Sequence, residues 1–175
     1  MTNKPAPRVK VRPGLFVAIP LPGGAYGFGR TMYGCLMAFY DISSNSILSL
    51  EEIECRPILW KLSGALDDAV KERHWPVLGH KPLEPELLQA VRTFRPANPM
   101  TSNMPYDGFR IYVSHAEAGK YDDYRATPEE CVGLEPTITW GWESVARRLD
   151  DHFAGKPNAQ VERLVGYLKQ HLIVQ

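Results

Sequence analysis

The sequence predicts an α+β protein, with an N-terminal antiparallel β-sheet built from hairpins and helices packed on it mainly from the C-terminal third. Two observations predict this. Short apolar runs separated by turn residues crowd the first 42 positions, too close together for parallel strands, which need crossovers of about a dozen residues. Two amphipathic helical stretches then close the chain, and they need a sheet to lie on. Residues 1–175 fit a single domain, with 1–8 expected to be flexible.

Taken in order, Val9-Lys-Val-Arg12 alternates apolar and charged residues and reads as a strand. Leu15–Ile19 is a short apolar run, Pro22-Gly23-Gly24 is turn chemistry, and Tyr26–Tyr33 resumes a strand pattern, so the three form a hairpin. In that strand Tyr26, Phe28, Arg30 and Met32 share one face, and Gly27, Gly29 and Thr31 the other. The glycines run Gly24-x-x-Gly27-x-Gly29, the reverse of a dinucleotide fingerprint, with no helical cap after them and no Gly-Lys-Ser/Thr. They read as a bulge or a close backbone approach, not as a phosphate cradle. Leu36–Tyr40 is a further strand, Ser43–Ser46 a polar loop, and Ser49 with Glu52 three residues on is a capping box.

Pro57–Lys61 reads as a strand and Leu66–Arg73 as a helix with Ala65, Leu66, Ala69 and Val70 as its stripe. Leu83, Leu87, Leu88 and Val91 predict one helix over 83–92, followed by an irregular loop over 93–108 that is rich in proline, asparagine and aspartate. Phe109–Val113 is a strand. Trp142, Val145, Leu149 and Phe153 mark one helix, closed by Gly155; Asn158 caps a second, with Val161, Leu164, Val165, Leu168 and Leu172 on its apolar side.

The net charge is zero but uneven. Residues 1–30 carry Lys4, Arg8, Lys10, Arg12 and Arg30 with no acid, while residues 117–151 hold nine acids against four bases. The N-terminus lacks the apolar stretch of a signal peptide, and prolines interrupt the longest uncharged run, so the expected location is cytoplasmic, with no membrane partner. Cys35, Cys55 and Cys131 form no C-x-x-C pair and are expected to be reduced, Cys35 and Cys55 in apolar surroundings that leave them inert. His74 and His80 have no metal-ligand spacing, no G-x-S-x-G elbow is present, and the acid doublets are too local to face one cleft. No cofactor, no metal and no catalytic residue is expected. Neutral charge without a recognition signature also argues against direct nucleic-acid binding.

Arg30 on an apolar strand face calls for a carboxylate or an aromatic plane beside it. Trp75, Trp140 and Trp142 are large enough to anchor a core or an interface, and core is the simpler reading.

Phe16-Val-Ala-Ile-Pro-Leu-Pro22, Tyr26-Gly-Phe-Gly-Arg30, Ala38-Phe-Tyr-Asp41, Trp75-Pro-Val-Leu-Gly-His-Lys-Pro-Leu83, Thr127-Pro-Glu-Glu-Cys-Val-Gly-Leu-Glu135 and Asp151-His-Phe-Ala-Gly-Lys-Pro-Asn158 occur in this order. Together they resemble the immunity protein 26 family, from about residue 12 to 165. The resemblance implies a bacterial antidote, encoded beside a secreted or contact-delivered toxin, that binds and neutralises its cognate toxin domain by occlusion and without catalysis. If the toxin is a nuclease with a basic groove, Asp122, Asp123, Glu129 and Glu130 are the candidate contacts. A second-choice surface is Arg30, Trp75 and His80 with Tyr106 and Asp107, although Gly27, Gly29, Trp75 and Gly79 can equally be scaffold. The alternative class is a hydrolase or small-ligand binder with a cleft near Trp75–His80 and Tyr106–Asp107.

Overall fold

The computed structural model describes residues 9–64, 66–96, 108–116 and 120–172. Two sheets and four helices form an α+β fold. The first sheet contains β1 (Leu15–Pro20), β2 (Tyr26–Thr31), β3 (Leu36–Ser44), β4 (Ile58–Ser63) and β5 (Val77–His80) in the antiparallel order β4-β3-β2-β1-β5. The second contains β6 (Val91–Pro96), β7 (Phe109–Ser114), β8 (Tyr121–Ala126) and β9 (Glu135–Pro136) in the order β8-β7-β6-β9. All pairs are antiparallel except β6 with β9.

The predicted hairpin is β1–β2, with Phe16 opposite Arg30 and Ile19 opposite Gly27. Its glycines make room. A Cβ at Gly27 would lie 3.1 Å from Leu149 of helix α3 (Trp142–Phe153), and one at Gly29 would lie 3.2 Å from the Ala38 carbonyl. The β2–β3 register also shifts between Gly27 and Gly29, the bulge expected of glycine in a strand.

β1 is buried on both sides, hence its unbroken apolar run. One side of the first sheet, with Val17, Ile19, Met37 and Phe39, packs under Trp75, Val145 and Leu149. The other side, with Phe16, Ala18, Phe28 and Tyr40, packs on Ile53 of helix α1 (Leu50–Glu54). The capping box at Ser49 and Glu52 closes as predicted. Helix α2 (Asp67–Lys71) buries Ala69 and Val70, with Leu66 buried just before it. Helix α4 (Ala159–Leu172) joins the cores: Val161 and Leu164 pack on the first, while Leu168 and Leu172 pack with Phe94, Phe109 and Ile111 of the second sheet. Asn158 accepts from the Val161 N–H at 3.2 Å, and Gly155 ends α3 with φ +66°.

Several expectations are corrected. Residues 83–92 are not one helix: Pro85–Leu88 is a single 3₁₀ turn, Gln89 is extended, and β6 begins at Val91 and runs through residues expected to be loop. Pairing with β7 along six residues outweighs an apolar spacing that covers little more than two turns. Val9–Arg12 forms no strand, although Val9 and Val11 pack on the first core. β3 extends to Ser44, taking in two residues of the expected loop. Cys35 and Cys55 are exposed, and Cys131 is the buried thiol, its pKa pushed up by burial and then by Glu130. The expected flexible segment 1–8 and the second-choice residues Tyr106 and Asp107 lie outside the described residues.

Candidate functional site

The hairpin places Arg30 on the side of the sheet that faces α1, where its side chain is fully buried. It meets both partners its position demands. The guanidinium carbon lies 4.3 Å from the Phe16 ring centroid, and Nη1 donates to both Glu84 oxygens at 2.9 and 2.7 Å. Glu54 stands 3.5 Å from the same nitrogen, and Nη2 donates to the Lys81 and Pro82 carbonyls. Lys81 then bridges Glu51 at 3.0 Å and Glu54 at 2.6 Å. One buried cation thereby ties β2 to α1 and to the segment after β5. Burial alone would raise the Glu84 pKa, but hydrogen bonding with Glu54 and Arg30 outweighs it, and the carboxyl sits below its ordinary range.

Trp75 lies on the opposite side of the same sheet, edge-on to Phe39 at 6.3 Å. The structure therefore separates Arg30, Trp75 and His80: two are inside, on different faces, and the exposed His80 sits 3.1 Å from the Pro13 carbonyl. Arg30 and Trp75 are therefore packed inside the fold, at 0% and 1% exposure. A Cβ at Gly79 would press on Leu50 of α1, so this glycine too serves close packing.

The four candidate acids are all exposed. Asp122 and Asp123 sit on β8, the outer strand of the second sheet, where neighbouring residues alternate faces. Asp122 is 2.8 Å from His115 Nε2, and Asp123 accepts from Arg110 Nε at 2.8 Å. Glu130 accepts from the Thr127 N–H at 2.8 Å and so holds the turn Glu129–Cys131. The belt is thus partly offset by Arg110 of β7, while His115 just beyond that strand pairs with Asp122. Tyr121, Tyr124 and Val132 stand exposed beside it, Tyr121 at 70%.

A further constellation was not anticipated. Arg148 of α3 is buried, with its guanidinium carbon 3.9 Å from the Trp60 ring and 5.0 Å from that of Trp140. Its Nη2 donates to both Glu135 oxygens at 3.0 and 2.9 Å. Burial lowers its pKa and Glu135 works the other way. Trp60, Arg148, His152, Lys156, Asn158 and Val161 line a pocket of about 110 Å³. The signal was present in the sequence: Arg148 lies between Val145 and Leu149 on an apolar helix face, the same anomaly that marked Arg30. Among the described residues no group of three His, Cys, Asp or Glu is placed to hold a metal ion, and no helix is long and apolar enough to cross a membrane.

These features define a protein that uses its buried arginines to hold elements together and keeps the acids of β8 and the following turn, with several aromatics, outside. The family model for Immunity protein 26 matches residues 12–100, and the chain belongs to that family. The matched stretch contains the hairpin, the Arg30 network and Trp75–Leu83; the similar segments at 127–135 and 151–158 lie beyond it. No curated protein and no solved structure matches the chain.

Proposed function

We propose that this protein neutralises a cognate toxin in the cytoplasm by covering it, with no chemistry of its own, and that β8 and the turn after it form part of the contact surface. Membership of the immunity family over residues 12–100 carries the first half. For the second, β8 is an open sheet edge whose residues Tyr121–Arg125 are all exposed. Exposed Tyr121, Tyr124 and Val132 supply apolar anchors among Asp122, Asp123, Glu129 and Glu130. Because Arg110 and His115 already engage two of those acids, the belt serves to steer an approaching basic surface rather than to clamp it. A nuclease toxin, with a basic substrate groove, fits that steering.

The test is co-purification with the toxin domain encoded by the neighbouring gene, followed by association kinetics at low salt. Replacing Asp122, Asp123, Glu129 and Glu130 together by lysine should slow association about tenfold or more, a difference that shrinks as salt is added. An unchanged on-rate removes the acidic edge from the interface. Failure of the wild-type protein to bind the domain removes the antidote reading itself.

A further inference from the structure

The pocket beside Trp60 is backed by a buried guanidinium. Arg148 is only 4% exposed, Nη2 is taken by Glu135, and Nη1 is buried with no hydrogen-bond partner. Buried charged donors are ordinarily satisfied. The lining residues are three basic groups, one amide, one aromatic ring and one valine, with no acid among them. Two carboxylates touch lining residues, Glu135 at Arg148 and Asp41 at His152, the latter at 3.1 Å. Asn158 spends its carbonyl oxygen on capping α4, so what it can offer the pocket is its NH₂ group. Lys156 is exposed at the pocket and forms no ion pair among the described residues.

Size narrows the occupant. A volume of about 110 Å³ is well below the several hundred Å³ of a metabolite site, but it holds one carboxylate group. Trp60 and Glu135 also line an adjoining groove of about 330 Å³ along β4, where Ile58, Leu59, Val91 and Leu134 give apolar surface among the charged Lys61, Glu86 and Arg92. A half-buried tryptophan backed by an arginine, with a groove of mixed apolar and charged lining on one hand and an exposed lysine on the other, is the composition of a binding hot spot.

We infer that this pocket anchors one Asp or Glu side chain of the toxin, presented on a segment whose apolar neighbours lie in the groove along β4. The inference rests on the antidote reading above and adds the partner chemistry. The two surfaces act at different stages: the acidic edge on β8 sets the rate of encounter, and the Trp60 pocket sets the lifetime of the complex.

Lys156→Glu places a like charge at the pocket without touching the core, and Lys169→Glu, at an exposed position on α4, is the control. Dissociation from the neighbouring-gene toxin domain should accelerate at least tenfold in the first variant and less than twofold in the second, with both melting like the wild type. Equal dissociation rates for Lys156→Glu and wild type overturn the inference and leave the antidote reading standing. No binding by the wild type overturns both. A third outcome also overturns it: acetate alone raises the melting temperature saturably, Lys156→Glu abolishes that rise, and toxin dissociation is unchanged. The pocket would then take a free small anion.

Discussion

Arg30 has no solvent-exposed side-chain surface, yet both of its carboxylate partners do, Glu84 at 42% and Glu54 at 30%. That asymmetry sets what its loss would do. Arg30→Met would leave two carboxylates able to reach water, and its main costs would be two carbonyl acceptors, the Phe16 contact and the bond to Glu84. Breaking a buried pair costs about 3–5 kcal/mol, and partial exposure of the partners puts this one at about 3 kcal/mol. Arg30→Lys keeps the charge, but one ammonium cannot serve Glu84 and the Lys81 and Pro82 carbonyls in the fork geometry of a guanidinium. It should lose about 1–2 kcal/mol, less than the methionine variant. Urea denaturation of the two variants checks the order; an equal loss in both would mean that charge is immaterial and only the fork matters. This residue was legible in the sequence because a single arginine interrupts an apolar strand face. Its particular partners were not, since Glu54 and Glu84 lie 24 and 54 residues away and only the fold selects them from many acids.

At the scale of elements, whether a feature could be read from sequence depended on how local its cause is. The β1–β2 turn, the box at Ser49 and the two closing helices are fixed by residues within a few positions of one another, and each stands where its residues indicate. The segment 83–92 misled because its leucine spacing is helical while Pro85 and the pairing with β7 decide its structure. β8 escaped notice for another reason: with five of its six residues exposed, its sequence carries no alternation of apolar and polar. Glycines show the same division. Gly14 has φ +91°, bonds to Thr31 and Lys81, and leaves no room, since a Cβ there would stand 2.1 Å from the Lys81 carbonyl oxygen. Gly79 would press only on Leu50 Cδ1 at 2.7 Å, the end of a side chain that can turn aside. Gly14→Ala should therefore cost about 3 kcal/mol or more, combining left-handed strain with a backbone clash, while Gly79→Ala should cost about 1 kcal/mol or less. Thermal melting of the pair measures the difference. Similar costs would show that the approach of β5 to α1 is as unyielding as the Gly14 contact.

Across the whole molecule, α4 packs on one hydrophobic core of each sheet, so a local titration should be felt by both sheets. Glu84 provides the titration. Its folded pKa lies below the ordinary carboxylate value of 4.5, because hydrogen bonds with Glu54 and Arg30 outweigh the opposing effect of burial. A depressed folded pKa means that the unfolded chain takes up the proton first. The stabilisation is therefore complete above pH 4.5 and is lost as pH falls through the lower, folded value. Glu84→Gln should lower the melting temperature at neutral pH and flatten its decline as pH falls below 4.5, so that the two curves converge in acid. Tryptophan fluorescence follows the first core, where Trp60, Trp75, Trp140 and Trp142 all pack, and amide exchange of β6 and β7 follows the second. If α4 couples the sheets, both probes should move together in wild type and variant. An acid limb seen by the tryptophans but not by β6 and β7 would mean that the sheets unfold separately, and that Arg30 with its carboxylates secures only the half of the chain that contains it.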